Sequence, residues 1–166
     1  MRIEQTQWAP TTGWNSPASL TEAALVLVFG GTDRLSGERI AELRERHPVA
    51  ILFGGSTAGE IVGVNVSEDT IVATAIHFDH TRLHLVSQAV AGAEASHAAG
   101  LALAMQLPGY ELVHVLVLTT GLDVNGTELV DGIKSGLPEG VEVTGGLTGD
   151  GNRFQRTLVI ADGEPE

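Results

Sequence analysis

At 166 residues, 43% hydrophobic and 18% charged, the chain is sized and composed for one globular domain with a sizeable core. Nine basic against 21 acidic residues leave a net charge of -12, a field that opposes nucleic acid and anionic membrane as partners. The absence of cysteine excludes disulfides, thiolate metal sites, iron-sulfur clusters, CXXCH haem attachment and cysteine nucleophiles.

The first residues, MRIEQTQWAPTTGW, lack the basic-then-apolar order of a secretory leader. No run approaches the ~18 apolar residues of a membrane span, so the chain reads as cytoplasmic. Residues 23–29 (AALVLVF) are a continuous apolar run closed by Gly30 and Gly31, the pattern of a strand buried on both faces. A helix follows, capped by Asp33 or Ser36. Ile40 and Leu43 lie on one of its faces, and Arg44 and Arg46 fall in its last turn. Pro48 stops it, and Val49 to Phe53 form the next strand.

Residues 70–78 (TIVATAIHF) and 82–87 (RLHLVS) are rich in β-branched residues and separated by a short turn, which predicts an antiparallel hairpin. An alanine-rich helix is expected from about Ala91 to Gln106, with Ala95, Ala98, Ala102 and Met105 on a face narrow enough to lie close to a sheet. Pro108 and Gly109 end it. Residues 112–118 (LVHVLVL) predict a second buried strand, and 126–136 a helix with Leu129, Ile133 and Leu137 in register. Val141 to Val143 is a short strand leading into GGLTGDG, and Thr157 to Ala161 the last strand.

Two stretches of this series match each other. VLVFGGTDRLSGERIAEL followed by VAILFGGSTAGE parallels VLVLTTGLDVNGTELVDGI followed by VEVTGGLTGDG. In both, a strand leads to an Asp (Asp33, Asp123), a Gly opens a helix (Gly37, Gly126), and a second strand runs into a glycine-threonine-glycine-acid sequence. Equivalent residues stay about 90 apart, which any two unrelated β-α-β units would not be expected to maintain. The reading is an internal repeat over approximately 23–87 and 112–163 within one domain, 1–166.

Each glycine run leaves a strand: Gly54, Gly55 and Gly59 in the first, Gly145, Gly146, Gly149 and Gly151 in the second. Glycine there either exposes backbone N–H groups to a ligand at the carboxyl ends of the strands, or only shapes tight turns between packed strands. Neither run has the Lys-Ser/Thr ending of a P-loop, and Glu60 and Asp150 would repel phosphate. A carboxylate beside N–H donors suits an ammonium-bearing ligand such as an amino acid; the alternative is that Glu60 and Asp150 accept their own loops' N–H groups.

GGSTA at 54–58 approximates a nucleophile elbow around Ser56, but the AGEIVGVNVSEDT that follows is too rich in glycine and β-branched residues for the helix an elbow requires. His77, Asp79, His80 and His84 crowd one segment without the three or four converging ligands zinc needs. His97 is a candidate for a single axial haem ligand. No catalytic or metal-binding residue is assigned.

The runs ILFGGSTAGEI (51–61) and VTGGLTGDGNRFQRTLVIADG (143–163) resemble the two most recognisable stretches of the FIST N-terminal domain family, and the likeness covers most of the chain. That family's first stretch usually reads GCSTAGE-like and its second GGAAGDG followed by an aromatic and a threonine, places that Phe154 and Thr157 fill here. Gly55 stands where the family usually has Cys, and Leu147 and Thr148 where it has a small pair. The resemblance implies a sensory input domain of intracellular signal transduction that binds a small molecule, an amino acid or similar metabolite, and performs no chemistry. It also admits a haem-dependent nitric oxide sensor; a protein-interaction module without a pocket is the third reading. Implied partners are a histidine kinase, a cyclase or the family's C-terminal companion domain.

The expected fold is α/β, a single domain with a mixed β-sheet and flanking helices, built from two similar β-α-β halves. The expected ligand site combines Gly54, Gly55, Ser56, Thr57, Gly59 and Glu60 with Gly145, Gly146, Thr148, Gly149 and Asp150. Valine at Gly55 or Gly146 is expected to block the pocket or damage folding.

Overall fold

The computed structural model describes all residues from 1 to 166. It shows the expected class, α/β with a mixed sheet and flanking helices. The backbone forms two compact units, one of residues 1–83 with 148–166 and one of residues 84–147.

The first unit opens with β1 (Arg2–Ala9) and the short β2 (Gly13–Trp14), which pair antiparallel. The expected buried run is β3 (Leu25–Gly30); its inward residues Val26 and Val28 are fully buried, while the alternate positions are half-covered. Helix α1 (Gly37–Arg46) follows, and Ser36 is its cap, accepting from the Arg39 N–H at 3.4 Å. Ile40 and Leu43 turn inward as their spacing requires, and complete burial of a leucine such as Leu43 contributes about 1.5–3 kcal/mol. The backbone N–H of His47 closes the helix on the Leu43 carbonyl.

β4 (Ile51–Ser56) lies parallel to β3, so β3, α1 and β4 form one crossover unit. β5 (Glu60–Val62) and β6 (Asn65–Ser67) make a small hairpin, with Gly63 at φ 59° in its turn. β7 (Ile71–His77) runs antiparallel to both β3 and β1, and β10 (Val159–Ala161) antiparallel to β4. The sheet order is β10-β4-β3-β7-β1-β2. Val26, Val28, Leu52, Ile71, Leu158 and Ile160 meet Ile40 and Leu43 in one core. The two N-terminal strands are also tied to α1: the Arg39 guanidinium lies 5.2 Å from the Trp8 ring centre and Arg46 4.9 Å from Trp14, whose indole N–H donates to Glu42 at 2.8 Å.

The predicted hairpin of 70–78 with 82–87 does not form. β7 covers the first segment, but both of its edges are occupied, by β3 and by seven paired residues of β1. No edge remains for residues 82–87, which have no regular structure. β1 was invisible in the sequence because its inward positions include Thr6, buried and polar, in place of an apolar alternation.

In the second unit a 3-10 turn (Ala93–Ala95) leads into α2 (Ser96–Gln106). Its buried face is Ser96, Ala99, Gly100 and Ala104 rather than the expected Ala95, Ala98, Ala102 and Met105; Met105 is exposed. The partner explains the difference. α2 packs on α3 (Gly126–Gly136) so closely that a Cβ at Gly100 would stand 2.1 Å from the Leu129 carbonyl oxygen, and one at Gly132 2.1 Å from that of His97. The glycines, not the alanines, set the contact face. Asn125 caps α3 by accepting from the Glu128 N–H, and Leu129, Ile133 and Leu137 join the small core.

β8 (His114–Thr119) and β9 (Glu142–Leu147) pair in parallel. β8 is not the fully buried strand its apolar run predicted: Val117 enters the core, but Leu116 is 43% exposed. β9 extends through Gly145 and Gly146, and β4 through Gly54 and Gly55, so these glycines lie within strands and not in the loops after them. No helix is long and apolar enough to cross a membrane.

Candidate functional site

At the carboxyl ends of β3 and β4, the first unit has a small pocket of about 150 Å³. Its wall is made by Thr57, Ala58 and Glu60 after β4, Glu68 and Asp69 before β7, and Asp150, Gly151, Asn152 and Arg153 from the segment before β10, with Gly31 at the end of β3. Crevices outside the carboxyl ends of strands are where α/β sheets commonly bind ligands.

The wall is held by hydrogen bonds that begin in the two glycine motifs. Thr57 N–H donates to the Gly30 carbonyl at 3.0 Å, and Gly149 N–H to the Ser56 carbonyl at 2.8 Å, which brings both motifs together. Ser56 is fully buried; its hydroxyl accepts from the Leu158 N–H at 2.8 Å, fixing β10 against β4. Glu60 is 2% exposed, and its carboxylate accepts from the Thr57 hydroxyl at 2.6 Å and from the Thr70 N–H and hydroxyl at 3.1 and 2.9 Å. That carboxylate braces the loop between β4 and β7.

Asp150 has the same role on the other wall. One oxygen accepts from Arg153 Nε at 2.9 Å and lies 2.7 Å from its terminal nitrogen; the other accepts from the Gln155 and Arg156 N–H groups at 3.2 and 3.1 Å. Arg153 also reaches Asp33 at 2.8 Å, joining the loop after β3 to the loop before β10. The Thr32 hydroxyl beside it, then the two amides and Arg153, hold the Asp150 carboxyl at about 2, below its ordinary 3.8. Thr32 is buried without a bond of full geometry, so the amides and Arg153 are the firmer contacts.

A depressed carboxyl binds fewer protons in the folded chain, so its contribution is present above about pH 4 and is lost as pH falls from there toward about 2. Asp150→Asn should therefore flatten the acid limb of stability against pH over that window. An unchanged slope in a pH series of urea melts would show that Asp150 is not responsible.

Of the residues expected to form the site, Thr57, Glu60 and Asp150 line the pocket. Gly149 packs its backbone near Ala58, and Thr148 places its methyl group at Gly55. Gly145 and Gly146 are in β9, in the second unit, outside this pocket. Gly54 and Gly55 serve strand packing: a Cβ at Gly54 would be 1.8 Å from the Val28 carbonyl oxygen, and one at Gly55 2.4 Å from the Thr148 methyl and 2.5 Å from the Leu158 carbonyl oxygen. Valine at Gly55 damages packing, whereas a Cβ at Gly146 meets nothing within 4 Å.

Sequence reading missed Glu68, Asp69, Asn152 and Arg153. Arg153 had a signal, since it stands three residues after Asp150 and its second partner, Asp33, was already marked by the repeat. The remaining histidines do not converge. His77 Nδ1 faces the Glu22 carbonyl and His114 Nε2 the Thr144 hydroxyl, and no three His, Asp or Glu side chains form a group able to hold a metal ion.

The first unit is thus a mixed-sheet α/β fold with a small polar pocket at its strand ends. The FIST N domain family matches residues 24–166, and the chain belongs to it, a family of sensory domains of signal transduction. β1 and β2 precede the matched region. No curated protein and no solved structure matches the chain.

Proposed function

We propose that the domain is a non-catalytic sensor whose pocket takes a small ligand bearing an ammonium group, an amino acid or a metabolite of similar size. The observation that carries this is the charge of the wall: Glu60, Glu68, Asp69 and Asp150 against one cation, Arg153, which is already bound to Asp150 and Asp33. Glu60 and Asp150 have their oxygens taken up by their own loops, which leaves Glu68, and Asp69 with one oxygen 3.6 Å from Arg34, as the carboxylates that meet the ligand. Ser56, the one residue resembling a nucleophile, is buried and bound to β10. No histidine lines the pocket, which favours this reading over a haem sensor. A volume of about 150 Å³ fits a small amino acid.

Thermal melting of the full chain with the twenty amino acids, simple alkylamines and N-acetylated amino acids tests this. A ligand at 100 times its Kd adds roughly 2.7 kcal/mol to stability, a shift of several degrees. Free amines should raise the melting temperature and N-acetylated forms should not. Combined Glu68→Gln and Asp69→Asn should remove the shift while lowering the stability of the unliganded protein by no more than about 1 kcal/mol, since the Asp69–Arg34 pair it breaks is exposed. Equal shifts with acetylated ligands, or an undiminished shift in the double variant, would sink the assignment.

A further inference from the structure

β8 and β9 form a sheet of two parallel strands, and no other segment pairs with either. Parallel strands are ordinarily found within larger sheets, and a two-stranded sheet is weakly stable alone. In the first unit the same arrangement is extended: β4 lies parallel to β3, and β10 adds to the outer edge of β4 with Val159 opposite Gly55.

The registers make the two pairs comparable residue by residue. Gly54 is opposite Val28 and Gly145 opposite Val117, and a Cβ on either glycine would stand 1.8 Å from that valine's carbonyl oxygen. One residue further, Gly55 is opposite Phe29 and Gly146 opposite Leu118. Gly55 lacks a side chain where the Leu158 carbonyl of the adjoining strand approaches it; around Gly146 the corresponding space is open. Glycine inside a strand often marks the close approach of another backbone, and at Gly146 no atom lies within 4 Å of where a Cβ would stand. Residues 144–147 are all exposed, Leu147 by 53%.

Charge decides the occupant. Residues 84–147 carry seven carboxylates (Glu94, Glu111, Asp123, Glu128, Asp131, Glu139, Glu142) and one basic side chain, Lys134. A second copy would bring the same excess of negative charge, whereas a basic segment complements it. We propose that the outer edge of β9 accepts an extended segment of a partner protein, alternating apolar residues with lysine or arginine, as an added strand in the manner of β10 on β4.

A fluorescent peptide alternating valine and lysine, titrated into the full chain and followed by anisotropy, should bind saturably and more weakly at high salt. Hydrogen exchange at the amides of residues 144–147 should slow on binding. A valine-glutamate peptide should not bind. A Cβ at Gly146 meets nothing within 4 Å, so Gly146→Val should melt close to the parent, yet bind the basic peptide at least about tenfold more weakly by obstructing the incoming strand. Absence of binding, binding without protection at 144–147, equal binding by Gly146→Val, or a dimer formed through β9 in sedimentation would each overturn the proposal.

Discussion

Gly54→Ala should lose roughly 4 kcal/mol of stability or more, a large part of the about 5–15 kcal/mol that holds a typical domain folded. Its new methyl group would be 1.8 Å from the Val28 carbonyl oxygen and 2.6 Å from the carbonyl carbon, backbone atoms held in the parallel β3-β4 ladder that cannot step aside like a flexible side chain. Gly145→Ala should cost the second unit as much for the same reason, against Val117. Gly146→Ala, next in sequence, should stay within about 0.5 kcal/mol of the parent. Urea denaturation followed by circular dichroism compares the three. A Gly54→Ala protein within 1 kcal/mol of the parent, or a Gly146→Ala protein as damaged as Gly145→Ala, would refute the account of these glycines.

Glu60→Ala is expected to cost about 3 kcal/mol or more. Its carboxylate is the acceptor for three donors, the Thr57 hydroxyl and the Thr70 N–H and hydroxyl, and the last two lie in buried surroundings where water does not replace the lost partner. Each buried donor left unpaired costs about 1–3 kcal/mol. Glu60→Gln preserves the shape and one carbonyl oxygen, so a smaller loss is expected. Since the same bonds fix the loop that forms one pocket wall, Glu60→Ala should also weaken any ligand-induced thermal shift. A midpoint unchanged from the parent in urea would show that the loop is held by other contacts.

The elements that were legible in the sequence are those whose stability is local. α1 and α3 announce themselves through Ser36 and Asn125 at their starts and through Ile40, Leu43, Leu129 and Ile133 on one face, and β3 and β4 through uninterrupted apolar runs. What was hidden depends on partners distant in the chain. β1 is a strand because seven of its residues find β7 some seventy positions later, and residues 82–87 are not, because that edge had already been taken. The face of α2 followed from its approach to α3 through Gly100 and Gly132, which helical periodicity in alanine does not record.

The site was legible in part for a similar reason. The motifs brought Thr57, Glu60 and Asp150 to the pocket because they sit directly after strand ends, where position in the chain nearly dictates position in space. Glu68, Asp69 and Asn152 have no such anchor, and their place depends on how the β5-β6 hairpin and the segment before β10 fold back. The twin glycines carried a different message from the expected one. Gly54 and Gly145 mark where parallel strands crowd a carbonyl, a constraint on the backbone that looks the same in sequence as a ligand loop.

The second unit is continuous in sequence, whereas the first needs residues from both sides of it. On a ribosome, residues 84–147 can complete their own hydrogen bonds while the outer edge of β4 is still bare, since β10 is synthesised last of all the strands. The larger sheet therefore waits with Gly54, Gly55 and Ser56 uncovered until residues 158–161 arrive, and Leu158, whose N–H binds the Ser56 hydroxyl, acts as its latch. For that interval the nascent chain exposes an unpaired strand edge at residues 53–55, the kind of surface that chaperones shield and that aggregates when translation stalls before residues 158–161.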